Sequence, residues 1–372
     1  MNGSTIAFTG GGTGGHVYPG LAVAQALRAR GFEGRLAWIG STKDSDRSAV
    51  AEAGLEYYAV PSGKLRREVS LENLSDAFRV LAGYAAARRV LKSLGPTLLF
   101  SKGGYVSVPP CAAAASLGIP YFTHESDLTP GLATRLNAGK AERILVSYAE
   151  TVEHLRPALR DKALVAGNPV RASVRRGDAA RGRALLGLGE GIPLVFFLGG
   201  SQGARQVNEL AAAALPRLRE AAFVLHQTGA AGGAAGPDGA AAPDGNRYKS
   251  IAYIRDELPD LLAAADLVVG RAGAGTLWEC AALGKPMILV PLCGSGTRGD
   301  QVDNAELFAR SGAGVSLVGA EATAERLADE ILRLLADPAR LRSSGEAARA
   351  LAGRDAAAEI ADLILRRIGE TA

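Results

Sequence analysis

The sequence predicts an α/β protein made of two doubly wound, Rossmann-like domains. Three observations carry that expectation. An apolar strand, a glycine-rich turn and a helix recur along the chain. The strands are continuous apolar runs rather than alternating ones, which suits parallel strands covered on both faces. The pattern also restarts half-way through the 372 residues: the turns opening at Gly10 and Gly199 lie 199 − 10 = 189 positions apart.

Residues 5–9 read as the first buried strand. Gly10 to Gly15 form a turn, and Leu21 to Arg30 carry a helix that Gly31 ends. Residues 35–39 are a second strand, and others follow near 97–101, 119–123 and 143–147. After Gly167-Asn168-Pro169 the second half opens with a strand at 193–198, the turn Gly199 to Gly203 and a helix to about Arg219. Further strands fall near 222–226, 250–253, 266–270 and 286–290. Residues 229–246 are rich in Gly, Ala and Pro and read as a surface insertion with no assigned function. Helices near 323–336 and 355–368 end the chain. The expected domains are residues 1–166 and 167–350, with the terminal helix in 351–372 packing back on the first. Ligands of open α/β sheets bind beyond the carboxyl ends of the strands, where these glycine turns lie. Two such domains facing each other would enclose a cleft.

Composition narrows the class. Hydrophobic residues make up 48% and charged residues 22%, which is globular. The cysteines, Cys111, Cys280 and Cys293, are odd in number and form no CxxC or Cys/His cluster. A reducing compartment is expected, with neither a disulfide scaffold nor a zinc site. The first residues lack the basic region of a signal peptide, and no run of 18 apolar residues is present to span a membrane. Residues 1–168 hold 19 Lys and Arg against 14 Asp and Glu, and the excess sits largely in 64–92. Lys64, Arg66, Arg67, Arg79, Arg88, Arg89 and Lys92 supply it. In the same region Leu71, Leu74, Phe78 and Leu81 fall near one helix face. Cations beside an apolar stripe suit anionic headgroups; an ordinary core-packing helix is the competing reading. The cluster lacks the interleaved aromatics of a nucleic-acid site.

Gly10-Gly11-Gly12-Thr13-Gly14-Gly15 matches the dinucleotide fingerprint GxGxxG. That fingerprint also needs a carboxylate ending the second strand, and here the strand runs Trp38-Ile39-Gly40-Ser41. The turn therefore suits an anionic or oxygen-rich ligand without being an NAD site. Ser201 sits where a strand feeds a helix, as an N-cap or a phosphate contact. Thr276-Leu277-Trp278-Glu279 has capping-box spacing. Asp44-Ser45-Asp46 matches the DxD of metal-dependent transferases but reads as a loop or helix cap, away from the second-half turns. His16 follows the first glycine turn, and an ordinary pKa of about 6.5 suits a general base. His154 and His226 lack such a setting.

The remaining motifs complete a picture. GGTGGHVYPGLAVA (11–24), KGGYVSVPP (102–110), HESD (124–127), GNPVR (167–171), GGSQGAR (199–205), RAGAGTLWE (271–279) and GDQVDNA (299–305) occur in this order. Together they closely resemble the MurG family of N-acetylglucosaminyltransferases, in glycosyltransferase family 28. The resemblance covers nearly the whole chain and implies a GT-B fold. It implies transfer of GlcNAc from UDP-GlcNAc to the C4 hydroxyl of a lipid-linked muramyl-pentapeptide (lipid I), inverting the anomeric carbon to form lipid II. A UDP-GlcNAc 2-epimerase-like enzyme or a non-catalytic sugar-nucleotide binder on the same fold is the alternative. The resemblance implies no obligatory metal, no nucleic acid, and a peripheral location on the cytoplasmic face of the inner (plasma) membrane.

It also implies roles for residues. His16 is the base or its partner, with Glu125 and Asp127 as competitors. Relatives often read His-Glu-Gln-Asn where this chain has His124-Glu125-Ser126-Asp127, so the contact of Asp127 must differ. Donor contacts fall to Thr13, Gly14, Gly15, Arg171, Ser201, Ala274, Gly275, Thr276 and Leu277. Glu279 is implied to accept from the ribose hydroxyls, and backbone groups at Ile254 to read the uracil edge. Asp300 and Gln301 are placed on the GlcNAc hydroxyls; many relatives have two Gln there, and Asp300 replaces the first.

Overall fold

A computed structural model describes residues 3–63, 71–199, 203–229, 247–294 and 297–369. The chain divides into two compact units, residues 1–171 with 354–372, and residues 172–353. The boundary falls at 171/172 rather than at 166/167, so the whole GNPVR segment belongs to the first unit.

In the first unit the elements are β1 (Thr5–Thr9), α1 (Gly14–Ala29), β2 (Arg35–Gly40), α2 (Asp44–Glu52), β3 (Glu56–Ala59), α3 (Leu71–Leu94), β4 (Leu98–Ser101), α4 (Val108–Ser116), β5 (Tyr121–Glu125), α5 (Leu132–Asn137), β6 (Arg143–Val146) and β7 (Ala163–Val165). The sheet order is β3-β2-β1-β4-β5-β6-β7, with every pair parallel. Strands β1, β4 and β5 are buried throughout; β1 and β4 are largely apolar, whereas β5 ends in the polar Thr123-His124-Glu125. Phe8 of β1 stacks on Trp38 of β2 at 5.8 Å and meets Phe100 of β4 edge-on at 5.7 Å.

The second unit contains α6 (Ala172–Arg175), α7 (Ala179–Leu185), β8 (Leu194–Leu198), α8 (Arg205–Ala221), β9 (Phe223–Gln227), β10 (Tyr248–Ile251), α9 (Leu258–Ala264), β11 (Leu267–Gly270), α10 (Ala274–Ala282), β12 (Met287–Leu289), α11 (Asp300–Arg310), β13 (Gly314–Ser316), α12 (Ala324–Leu335) and α13 (Pro338–Ala352). Its sheet, β10-β9-β8-β11-β12-β13, is also all parallel and repeats the winding of the first. Helices α8 and α12 cover one face through Val207, Leu210, Leu327 and Ile331.

The chain then returns to the first unit as α14 (Ala356–Gly369), whose Ile360, Ile364 and Ile368 join the core beneath α1. Ion pairs Arg30–Asp362 and Arg367–Glu142 flank that seam. Several elements differ from the sequence expectation, α1 and α13 among them. Helix α1 begins at Gly14 rather than near Leu21, because Thr13 is its N-cap and Pro19, in its second turn, is accommodated. Helix α13 was not expected at all: its Ala- and Ser-rich stretch carries only a weak apolar stripe.

Candidate active site

A doubly wound sheet binds ligands where its strand order reverses. In the first unit that point lies between β1 and β4. Gly12, after β1, has φ +85, and a Cβ there would lie 2.7 Å from the Tyr105 ring. Its peptide is gripped from both sides. The N–H donates to Asp46 Oδ2 at 2.7 Å, and the carbonyl accepts from Lys43 Nζ at 2.7 Å. Buried Asp46 also accepts from Ser41 Oγ at 2.6 Å. The Asp44-Ser45-Asp46 stretch therefore opens α2 without capping it, since Lys43 is the N-cap residue. Asp46 instead tethers the glycine turn.

Thr13, Gly14, Gly15 and His16 follow as the N-cap and first turn of α1. The Thr13 hydroxyl pairs with His16 Nδ1 at 2.9 Å instead of capping the helix. The half-buried His16 ring lies over Gly104, where an added Cβ would approach it to 3.1 Å. When Nδ1 donates to Thr13, Nε2 becomes the basic nitrogen.

Next to it, at the ends of β4 and β5, stands a polar cluster. Lys102 is fully buried, and its ammonium reaches His124 Nδ1 at 3.0 Å and Ser126 Oγ. His124 Nε2 pairs with the Gly167 carbonyl at 2.8 Å, so it must be the protonated nitrogen. Burial, then the nearby Lys102 charge, push the His124 pKa well down, so the ring is neutral. Glu125 is buried, and both its oxygens are occupied. Oε1 accepts from the amides of Ser126 (2.8 Å) and Asp127 (3.1 Å). Oε2 accepts from the Gly131 amide (2.9 Å) and Thr134 Oγ1 (2.6 Å). Asp127 is half-buried on the loop that Glu125 folds. Arg171 ends the unit with its guanidinium 4.8 Å from the centroid of the Tyr18 ring.

In the second unit the strand order reverses between β8 and β11. Ser201 lies outside the described residues. Gly203, with φ +78, packs against the Thr228 carbonyl, which a Cβ would meet at 2.6 Å. After β11 a three-residue loop leads into α10, whose N-cap is Gly273. Ala274, Gly275 and Thr276 thus hold the first-turn amides, while the Leu277 amide already donates to the Gly273 carbonyl at 3.1 Å. This corrects the capping-box reading. Thr276 is the third helical residue, no side chain caps α10, and half-buried Glu279 falls in the second turn. Asn304 of α11 donates to the Ala272 carbonyl at 3.3 Å, and Arg271 donates to Gln206 Oε1 at 2.8 Å and the Val290 carbonyl at 3.0 Å. These bonds fix the loop.

Ile254 is buried, and its amide donates to Gln227 Oε1 at 3.2 Å. Gln301 accepts from the Leu292 amide at 3.0 Å, and Asp300, first residue of α11, pairs with Arg298 at 3.1 Å. Sequence reading passed over Gln227, took Asp46 only as part of a loop or helix cap, and gave Lys102 and Asn304 no role of their own within their motifs. The polar run His226-Gln227-Thr228 ending an otherwise apolar strand was the available signal for Gln227. Among the described residues no group of three or more His, Cys, Asp or Glu could hold a metal ion.

Twin parallel sheets, each with glycine turns at its switch point, give the GT-B fold that two-domain glycosyltransferases share. Solved structures share this fold. Acinetobacter baumannii MurG superposes with a TM-score of 0.72 at 23% identity, over 98% of this chain and 99% of its own. A Listeria monocytogenes protein assigned as a UDP-N-acetylglucosamine 2-epimerase gives 0.67 at 14% identity, over 99% and 96%. The sequence is more specific. Residues 6–146 match the glycosyltransferase family 28 N-terminal domain, and residues 194–363 match its C-terminal domain. The chain belongs to glycosyltransferase family 28. It is 45% identical to the UDP-N-acetylglucosamine--N-acetylmuramyl-(pentapeptide) pyrophosphoryl-undecaprenol N-acetylglucosamine transferase of Treponema denticola, over 96% of each chain. The Treponema pallidum (strain Nichols) enzyme of the same name is 43% identical, over 98% of this chain and 96% of its own.

Proposed function

We propose that this chain transfers N-acetylglucosamine from UDP-GlcNAc to the C4 hydroxyl of the muramyl sugar in undecaprenyl-pyrophosphoryl-MurNAc-pentapeptide, forming the lipid-linked disaccharide of peptidoglycan synthesis. The observation that carries this reading is identity of 43–45% to enzymes of that name across nearly the whole chain. The epimerase reading rests on shared fold alone and is not favoured.

The first unit supplies the base. His16 Nε2 takes the C4 proton as the hydroxyl attacks the anomeric carbon, and Thr13 orients the ring through Nδ1. Glu125 is a poor competitor, because four donors already hold its carboxylate. We assign it to shaping the loop that presents Asp127 to the acceptor. Direct displacement inverts the centre, so an α-linked donor gives a β-linked product.

The second unit supplies the leaving-group contacts. Negative charge develops on the diphosphate, and the first-turn amides of α10 with the 199–203 turn are suited to meet it. Each exposed dipole contact is worth only about 0.3–1 kcal/mol, so several must converge, with Arg171 adding a full charge. Glu279 accepts from the ribose diol, the Ile254–Gln227 pair sets the base edge, and Asp300 and Gln301 face the GlcNAc hydroxyls. In this reading no metal is needed for the leaving group.

The acceptor is membrane-bound, and α3 offers a surface for it. Phe78 and Leu81 are 65% and 64% exposed, with Arg89 and Lys92 exposed on the same helix. The side chains of Leu71 and Leu74, and residues 64–70, lie outside the described residues. We propose that the enzyme docks peripherally on the anionic cytoplasmic leaflet by this helix. Among the described residues no helix is long and apolar enough to cross a membrane.

The test is UDP release from UDP-GlcNAc with a short-chain lipid acceptor, with and without chelator. Acceptor-dependent release that survives chelation is the expected result. Acceptor-independent conversion of UDP-GlcNAc would replace this reading by the epimerase one.

A further inference from the structure

Lys102 is the one buried ammonium at the switch point of the first unit among the described residues, and the chemistry above does not use it. It sits directly before the Gly103-Gly104 turn that carries the His16 ring. Its ammonium donates to two different segments: His124 Nδ1, at the end of β5, and Ser126 Oγ, one residue before Asp127. Both partners pass the link on. His124 Nε2 donates to the Gly167 carbonyl at 2.8 Å, and Ser126 Oγ donates to Asn168 Oδ1 at 3.3 Å. Four stretches thus converge on one nitrogen: the β4 turn, the end of β5, the 126–127 loop and the 167–168 segment that leads to Arg171.

A buried ammonium needs compensation, or it loses its proton or its place. Here Glu125 and Asp127 supply opposing charge, while burial pushes the lysine down to about 8. The other titratable groups near the turn are His124, His16 over Gly104, and Cys111, which bonds Ser101 from α4. A residue that served only to fill space would be apolar, since burying a charge costs more than burying a methionine of similar length. The charge is therefore retained for what it holds.

We propose that Lys102 is a positioning residue for the acceptor side of the site, locking the Ser126-Asp127 loop and the Gly167-Asn168 segment in register with the His16 turn. This rests on the transferase reading above. Lys102 touches no reacting atom; it acts through Ser126 and His124.

The experiment compares the full-length wild type with K102M and S126A. Acceptor and donor KM are measured by UDP release, and His124 is followed by NMR titration of 15N-histidine-labelled protein. In K102M the acceptor KM rises about tenfold or more, as expected when hydrogen bonds to a charged group are lost. The donor KM rises by a clearly smaller factor, because most donor contacts proposed above lie in the second unit and only Arg171 follows the 167–168 segment. S126A, which breaks only the branch to Asn168, shifts acceptor KM in the same direction by less. His124 stays neutral across the titration in the wild type and moves toward the ordinary imidazole range in K102M, since the Lys102 charge is one cause of its depression. An unchanged acceptor KM, a parallel rise in both KM values, or an unmoved His124 titration would overturn the inference. If K102M does not fold, S126A decides by the same split between the two KM values. If the wild type releases no UDP with acceptor, the transferase reading fails; the His124 titration then still tests whether Lys102 holds this cluster.

Discussion

Thr13 occupies the N-cap of α1, yet its hydroxyl goes to the His16 ring and not to a backbone amide. The helix forgoes about 0.5–2 kcal/mol of capping, and the ring is oriented through its Nδ1. We predict that H16A lowers turnover by about 10²–10⁴-fold if Nε2 is the base, read as the UDP release rate. T13V should keep the fold and lose turnover by a smaller factor, with its acid limb displaced; wild-type kinetics in T13V would show that the ring is oriented by other groups. His226 is treated in the opposite way. Its Nε2 donates to Asn208 Oδ1 at 3.0 Å, its Nδ1 accepts from the Tyr248 hydroxyl at 3.1 Å, and burial pushes its pKa down to about 4. The unfolded chain, near 6.5, takes up this proton first as pH falls. Stability from this group is complete above pH 6.5 and is lost as pH drops toward 4, by on the order of 3 kcal/mol. Denaturation midpoints of H226Q should fall less steeply than the wild type over that window. An equal slope would assign the loss to other groups.

At the scale of elements, the turn between β1 and α1 is held by side chains from α2 and the β2–α2 loop. D46A would leave the Gly12 amide and the Ser41 hydroxyl without their acceptor in a buried place, costing about 1–3 kcal/mol in unfolding free energy. It should also lower turnover, since the turn places His16. A loss of stability with full turnover would separate the turn from catalysis. Gly20 explains how α1 lies close on the sheet: a Cβ there would sit 2.6 Å from the Trp38 ring, so G20A is expected to destabilise by about 1–3 kcal/mol in denaturant unfolding. The strongly buried strands were legible because a parallel strand covered on both faces is apolar at every position. Strand β3, at the sheet edge, was not, for Glu56-Tyr57-Tyr58-Ala59 is half-exposed and mixed. The capping-box spacing of Thr276 and Glu279 does not mark the start of α10, which lies three residues earlier. The helix begins instead as soon as the short β11 loop allows, with Gly273 as a bare cap. The motif residues could be read by resemblance as candidates for ligand contact. Those that hold the motif, such as Asp46, Lys102 and Asn304, reach it from distant segments, and only the folded chain brings them there.

For the whole molecule, the same winding is used twice, and the two copies differ in what fills the turn. The first puts a histidine in the first helical turn, and the second puts bare glycine and alanine amides there. One topology can present different groups by changing a few residues beyond the strand ends. The doubling was legible from the 189-position repeat of the glycine turns, and the return of the last helix to the first unit was expected as well. Its apolar face enters the first unit, where Ile360, Ile364 and Ile368 are buried against Leu21, Leu27 and Phe32. Three fully buried isoleucines contribute roughly 1.5–3 kcal/mol each by area, against the entropy of ordering the helix. The ion pairs to Arg30 and Glu142 are partly exposed and add little. Loss of α14 should therefore act through apolar burial and fall on the first unit alone. We predict that a chain ending at Gly353 exposes the α1 surface, shows faster amide exchange in residues 14–29 and loses turnover. The exchange of residues 205–221 in the second unit should stay as in the full chain. The point substitution I364D should reproduce the effect, whereas D362N, which removes only an ion pair, should not. Equal loosening of both helices would mean that the two units do not keep separate cores.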